Sequence, residues 1–440
     1  MKARETWASR MGFILACVGA AIGLGNVWMF PWRLGEYGGA SFLIAYLVFV
    51  YIMAVTGLIE EFALGRSTRR GAIGAFETVF EKRGMKRLGA FVGSIPVLAT
   101  YGVLVFYLVI IGWVLRYFVM SVFSGFASID AGGFFDSFTG TAATIPWHML
   151  AALFTGLIVL LGVRKGIEKA NRIMLPVLFL LLLILLIRSL TLPGAEAGIR
   201  FMLIPDWSKL GEADTWVFAL GQALFSVSIG GANMVVYGSY LKKDADLVRS
   251  AYQTAGFDTM AALIAAFIII PSAFAFGVEP TAGPSLLFIT LPSIFPLMPG
   301  GYVFGALFFL GMAFIVLSSS IALMEIPVEA VMDRFRLKRR SAVILVTTVT
   351  WLVGIPLAVD MGLFDPWADT VSVYLVPSGA VLAGIAFFWV NPREDSREAV
   401  RQGMRGDFFG KPWFFNFGRY IFVGVVILVL VLGIIKGGIG

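Results

Sequence analysis

Eleven predominantly apolar stretches recur along the chain, centred near residues 22, 52, 105, 155, 178, 228, 262, 312, 349, 380 and 427. Each has about the 20 residues a helix needs to cross a bilayer. Two of them break the pattern. The first, Trp7 to Trp32 (WASRMGFILACVGAAIGLGNVWMFPW), carries Gly19, Gly23 and Gly25 at its middle, then Asn26 and Pro31. Each glycine costs about 1 kcal/mol of helix propensity relative to alanine. Backbone freed at membrane depth is tolerated only where protein or a wet cavity covers it. A helix broken at about Ala21–Gly25 is therefore predicted. The sixth stretch, Trp216 to Tyr240, has a second small and polar interruption, Ser226 through Asn233. Matching breaks five spans apart mark inverted-repeat transporters, since an odd number of spans turns the second copy over. The fold expected is an all-α membrane protein of about eleven transmembrane helices. It has an inverted 5+5 repeat over about 8–190 and 215–391 in one domain, with an extra helix at about 415–437.

Composition agrees. Of the 440 residues 59% are hydrophobic and 14% charged, where soluble domains run at about 25% charged. Mean hydropathy is +0.89. The net charge of +7 suggests nucleic acid only until its distribution is seen: 28 of the 34 Lys and Arg lie in the N-terminal segment and in alternate loops. By the positive-inside rule the N-terminus is cytoplasmic and, with eleven spans, the C-terminus extracellular; the expected location is the plasma membrane. No signal peptide is expected, because the first apolar stretch runs on through Pro31 without a cleavage-like site. Lone Cys17 and lone His148 argue against a disulfide or a zinc site. No phosphate loop or zinc-protease helix is present, so an enzyme is not expected. The outer segment PSLLFITLPSIFPLMPGG reads as a short helical lid.

A broken helix exposes N–H groups at the start of one half and C=O groups at the end of the other, with partial positive and negative charge. Amides near Leu24 and Gly25 suit a carboxylate, and carbonyls near Gly19, Ala21 and Ile22 suit a cation. Asn26, Ser226, Asp258, Ser318 and Ser319 offer side-chain oxygens. Blander readings stand beside these: Gly19 and Gly23 form a small-xxx-small packing pair, and mid-helix serines bond back to helix carbonyls. An acid such as Asp258 inside a membrane reads as functional.

The segments GAAIGLGNVWMFPW, EYGGASF, KGIEKANRIMLP, GQALFSVSIG and VYGSYL, in this order over nearly the whole chain, resemble the neurotransmitter:sodium symporter family. The match is to its bacterial, eleven-helix kind of LeuT-like sodium-dependent amino-acid transporter. Broken-helix transporters are typified by this family, so the repeat argument and the resemblance are not independent. The resemblance implies a first sodium on Ala21, Asn26, Ser226, Asp258 and the substrate carboxylate. A second would sit on Gly19, Ile22, Ile315, Ser318 and Ser319. It implies that the carboxylate is held by the Leu24 and Gly25 amides and Tyr107, and the ammonium by carbonyls near Ala21, Phe225, Ser226 and Ser228. Phe225 and Tyr107 would close above, and Ala20, Val103, Gly231, Ser319 and Leu323 would wall the pocket. Arg4 and Asp333, with Ser239 and Tyr240 nearby, match an inner gate. Glu61 is expected to brace the broken first helix, with Glu60 facing elsewhere.

Gly23 stands where monoamine members carry an acid, which favours a substrate bringing its own carboxylate. Four departures change the picture further. Met29 replaces the arginine that pairs with an acid resembling Asp365, leaving Asp365 and Asp369 in need of another partner. Gly231 replaces a bulky wall residue, which enlarges the pocket and points to large apolar or aromatic amino acids. Asp258 replaces a neutral asparagine beside the family's chloride region (Tyr46, Gln222, Ser226); with Ala262 in place of another substitute acid, chloride is expected to be unnecessary. Asn233 has no assigned role. The function expected is sodium-coupled amino-acid import by alternating access, with no nucleic-acid partner. Proton coupling of the same fold through Asp258 or Glu325, and a non-transporting sensor, remain open.

Overall fold

The structure, a computed structural model of the chain, describes residues 5–126, 129–277 and 286–438. Every regular element among them is helical. In chain order the helices are α1 (Arg10–Ala21), α2 (Gly25–Glu36), α3 (Ala40–Thr68), α4 (Ala72–Glu81), α5 (Lys86–Phe123), α6 (Ala131–Phe138), α7 (Ala142–Leu160), α8 (Val163–Leu190) and α9 (Ala195–Leu203). The second half holds α10 (Ala213–Ser226), α11 (Asn233–Ser239), α12 (Leu247–Ala275), α13 (Leu287–Leu297), α14 (Gly301–Phe335), α15 (Arg339–Val359), α16 (Met361–Val390), α17 (Arg393–Arg401) and α18 (Pro412–Lys436).

Nine of the described helices are long and apolar enough to cross a membrane: α3, α5, α7, α8, α12, α14, α15, α16 and α18. The pair α1 and α2, bent by 56° at the break, makes a tenth. Helices α10 and α11 occupy the predicted place of the sixth span. With 14 and seven residues, neither half is long enough to cross alone. The short helices α4 and α17 in the basic loops were not anticipated, whereas α13 lies in the segment read as a lid, of which residues 284 and 285 fall outside the described residues.

Two interfaces position the site. α5 lies along α14 in the most extensive helix pairing of the molecule. α3 presses on α11 so closely that a Cβ on Gly65 would stand 1.9 Å from the Val235 carbonyl oxygen. Small residues at helix crossings allow this approach in a membrane, where apolar contact alone gives little drive to associate. Helix α1 starts at an N-cap, Ser9, whose hydroxyl accepts from the Gly12 amide at 2.9 Å. It then runs between α8, α12 and α14 to its break.

Candidate functional site

The first break is short. α1 ends at Ala21, Ile22 turns extended (φ −65°, ψ 107°), and α2 resumes at Gly25. Asn26 reaches back so that its Oδ1 accepts from the Gly23 amide at 2.9 Å. A Cβ on Gly23 would stand 3.1 Å from Ser319 Oγ and 3.2 Å from the Tyr107 hydroxyl. Any side chain there would press on both hydroxyls. A Cβ on Gly25 would touch the Phe225 ring at 3.2 Å, so Phe225 and Tyr107 do flank the break.

The second break runs from the end of α10 at Ser226 to the start of α11 at Asn233, with Ser228 (φ 57°) and Gly231 (φ 79°) left-handed. Glu61 on α3 braces this break and not the first: its Oε1 accepts from the amides of Gly230 at 3.0 Å and Gly231 at 2.8 Å. Glu60 is fully buried and without a hydrogen bond among the described residues. Gly231 does not open the pocket. A Cβ there would stand 2.5 Å from the Gly379 carbonyl oxygen and 3.2 Å from Pro96 Cβ. The positive φ and the Glu61 bond turn the residue toward α16 and α5, so the expected gain in room is absent. Asn233 opens α11, buried, with Oδ1 lacking a donor among the described residues. Bonds tie the breaks together: Ser228 Oγ donates to the Ala20 carbonyl at 2.8 Å, Gln222 Nε2 to the Gly25 carbonyl at 3.2 Å, and Asn26 Nδ2 to Ser226 Oγ at 3.3 Å.

Two oxygen clusters flank this pair. In the first, Asn26 Nδ2 donates to Asp258 Oδ1 (2.8 Å), the Asp258 carbonyl (3.2 Å) and Ser226 Oγ (3.3 Å). Ser226 Oγ donates to Asp258 Oδ2 at 2.6 Å, and the Tyr46 hydroxyl lies 3.4 Å from Ser226 Oγ. Asp258 is fully buried, and no Lys or Arg pairs with it among the described residues. A buried carboxylate without a counter-charge is costly, and oxygen donors of this kind suit a hard cation. Ala21 is at the end of α1, where helix carbonyls lack intrahelical partners.

In the second cluster Ser319 Oγ donates to the carbonyls of Ile22 (2.7 Å) and Gly19 (3.3 Å), and Ser318 Oγ to that of Ile315 (2.8 Å). The back-bonding reading of Ser318 is thus met, yet its neighbour reaches across to α1. Gly19 serves packing as well: a Cβ there would stand 3.2 Å from Ser318 Cβ and 2.1 Å from Asn171 Oδ1. Leu24 is buried, and Val103 and Leu323 pack half-buried against the core from α5 and α14.

The expected gates fare unevenly. Arg4 lies outside the described residues. Asp333 is exposed near the end of α14, 3.3 Å from where a Cβ on Gly74 would be. Ser239 bonds back to the Val236 carbonyl. Tyr240 donates to Glu325 Oε1 at 2.8 Å, and Glu325 forms a two-pronged ion pair with Arg339 (2.5 and 3.1 Å). Trp7 closes the same region, donating to the Tyr237 carbonyl at 3.1 Å. Arg339 and Trp7 were missed. An acid at Glu325's depth asks for a partner, but sequence alone does not say which cation folds back to it. At the opposite end Asp365 and Asp369 are exposed and form no salt bridge among the described residues. The buried arginine there is Arg33, one turn beyond Met29, with its guanidinium 4.9 Å from the Phe218 ring centre.

Comparison with known proteins gives one answer. An uncharacterised sodium-dependent transporter of Bacillus subtilis is 34% identical over 447 residues, covering 98% of each chain. Another, of Methanocaldococcus jannaschii, is 33% identical over 91% of this chain and 84% of its own. The crystal structure of MhsT in complex with L-phenylalanine superposes with a TM-score of 0.86 at 34% identity, covering 98% of this chain and all of that one. The profile of the sodium:neurotransmitter symporter family matches residues 4–130 and 135–436. With broken helices and oxygen clusters where the motifs put them, the chain belongs to the sodium:neurotransmitter symporter family.

Proposed function

We propose that this chain is a sodium-coupled symporter that imports amino acids by alternating access. The observation that carries the reading is the paired break: two non-helical segments bonded to each other, with a buried carboxylate on one flank and a hydroxyl–carbonyl cluster on the other. The substrate carboxylate would take the amides of Leu24 and Gly25 and the Tyr107 hydroxyl, which has no partner among the described residues. One sodium would sit on Ala21, Asn26, Ser226 and Asp258. There the Asn26 Nδ2 group donates to oxygens of Asp258 and Ser226, so the amide would have to turn over for its own oxygen to meet a cation. The second would sit on Gly19, Ile22, Ile315, Ser318 and Ser319. Each charge carried inward gains about 2.3 kcal/mol per 100 mV, enough to drive accumulation of substrate.

Asp258, bonded to Ser226 with the Tyr46 hydroxyl next to it, would supply a negative charge in the family's chloride region, which supports independence from chloride. Glu325 is bound to Arg339 and Tyr240, which weakens it as a proton carrier and leaves Asp258 as the acid on which proton coupling would depend. The two repeats, about 8–190 and 215–391, and a cytoplasmic N-terminus in the plasma membrane complete the reading. With Gly231 turned away, the case for a large apolar or aromatic substrate rests on the relative that holds L-phenylalanine. A panel of the twenty amino acids, assayed for sodium-dependent thermal stabilisation of the purified chain, tests it. Stabilisation by phenylalanine, tryptophan or leucine is expected; stabilisation by none of the twenty contradicts the amino-acid assignment.

A further inference from the structure

Asn171 lies on α8, three residues beyond Glu168. It is fully buried. Its Nδ2 donates to the Ile167 carbonyl one turn earlier, at 2.9 Å. Only the nitrogen of the amide can donate to a carbonyl, so this bond fixes which way the other end points. Oδ1 is turned toward α1, so close to Gly19 that a Cβ on that residue would lie 2.1 Å from it. It has no donor among the described residues.

That places the oxygen beside a residue of the second oxygen cluster. The Gly19 carbonyl belongs to the Ser319 cluster, and the same built Cβ lies 3.2 Å from Ser318 Cβ. A buried acceptor left without a donor costs free energy that an apolar side chain of the same size would avoid. A cation drawn to the neighbouring carbonyls and hydroxyls offsets that cost, because a hard ion accepts several oxygen ligands at once.

The position is also directional. Gly19 is the member of the cluster nearest the N-terminal, basic end of α1. Asn171 lies one turn beyond Glu168, which holds that end by accepting from the Ala8 amide at 2.8 Å and from the Ser9 hydroxyl at 3.0 Å. We propose that Asn171 Oδ1 is a further ligand of the second sodium site, on its side nearest the N-terminal end of α1. The proposal rests on the two-sodium reading and adds to it a residue from a third helix.

The test is a sodium titration of the purified full-length chain in lipid nanodiscs, at constant ionic strength with choline as the replacement cation. Apparent unfolding temperature is the readout. Asn171→Leu keeps the bulk and removes the oxygen; it is expected to raise half-saturating sodium roughly three- to tenfold, as loss of one ligand bond implies. Asn171→Asp, which adds charge, is expected to lower it. Asn171→Ser draws the oxygen back from Gly19 and gives the same comparison if the leucine variant does not fold. Ser318→Ala, in the same site, should move the midpoint the same way as Asn171→Leu. A residue that only packs would shift unfolding equally at every sodium concentration. An unchanged midpoint in the Asn171 variants, beside a moved one in Ser318→Ala, overturns the proposal alone. A wild-type protein whose unfolding ignores sodium overturns the two-site reading and the proposal with it.

Discussion

The two breaks do the same thing to the backbone but are held in different ways. The second is fixed by the protein itself: a full carboxylate, Glu61, takes two consecutive amides, and a left-handed glycine is wedged against α16 and α5. The first is held by neutral groups, the Asn26 amide on Gly23 and the Ser319 hydroxyl on two carbonyls. These bonds are individually worth about 0.5–1.5 kcal/mol net and can be exchanged for a ligand. One break is a fixed wall, and the other is built to trade partners. That division fits a site where the ions and the substrate carboxylate meet mainly the first helix.

Substitutions can break this contrast. The largest effect is expected from Glu61→Ala, which strands the buried amide of Gly231 at about 1–3 kcal/mol and the half-buried amide of Gly230 beside it. Its unfolding temperature should fall steeply with and without sodium, while Glu61→Gln, keeping one acceptor oxygen, should fall less. If the glutamine variant were as stable as wild type and the alanine variant also unchanged, the second break would not depend on that brace. Gly231→Ala comes next. It places a methyl 2.5 Å from a carbonyl oxygen at positive φ, a conformation that costs about 1–2 kcal/mol for other residues before any clash. Lower stability in a melting assay is expected; a neutral result would put Gly231 back among the pocket walls. The smallest stability effect is expected from Ser319→Ala at the first break. Measured in choline without sodium, its melting temperature should lie close to wild type, whereas the gain on adding sodium should shrink. A large loss in choline would mean that this break, too, is held by the protein alone.

Much of this was legible in the sequence because it depends on chemistry that the membrane penalises. Glycines and an amide at mid-depth located the first break to within a residue or two, and a small and polar run located the second. A buried acid pointed to Asp258, and the structure joins it to Asn26 and Ser226. What was not legible depends on tertiary approach. Glu61 went to the second break because Gly65 and Gly238 let α3 and α11 touch, contacts more than 160 residues apart in the chain. The turn at Gly231 follows from the same brace, so a position that reads as missing bulk became a packing joint. Arg339 reaches Glu325 from the start of the next helix, and nothing in local spacing selects it over its basic neighbours. Asn171 sat in view within KGIEKANRIMLP, an amide in an apolar helix; its direction is what the sequence lacks.

The proposed function has sodium driving amino-acid import, with Asp258 supplying the negative charge. It is tested most directly by uptake of labelled phenylalanine into proteoliposomes under an inward sodium gradient, at equal pH on both sides and with chloride replaced by gluconate. The account predicts accumulation above equilibrium that disappears when the sodium gradient is dissipated and persists without chloride. Accumulation that ignores sodium but follows a proton gradient, or that collapses in gluconate, would contradict it.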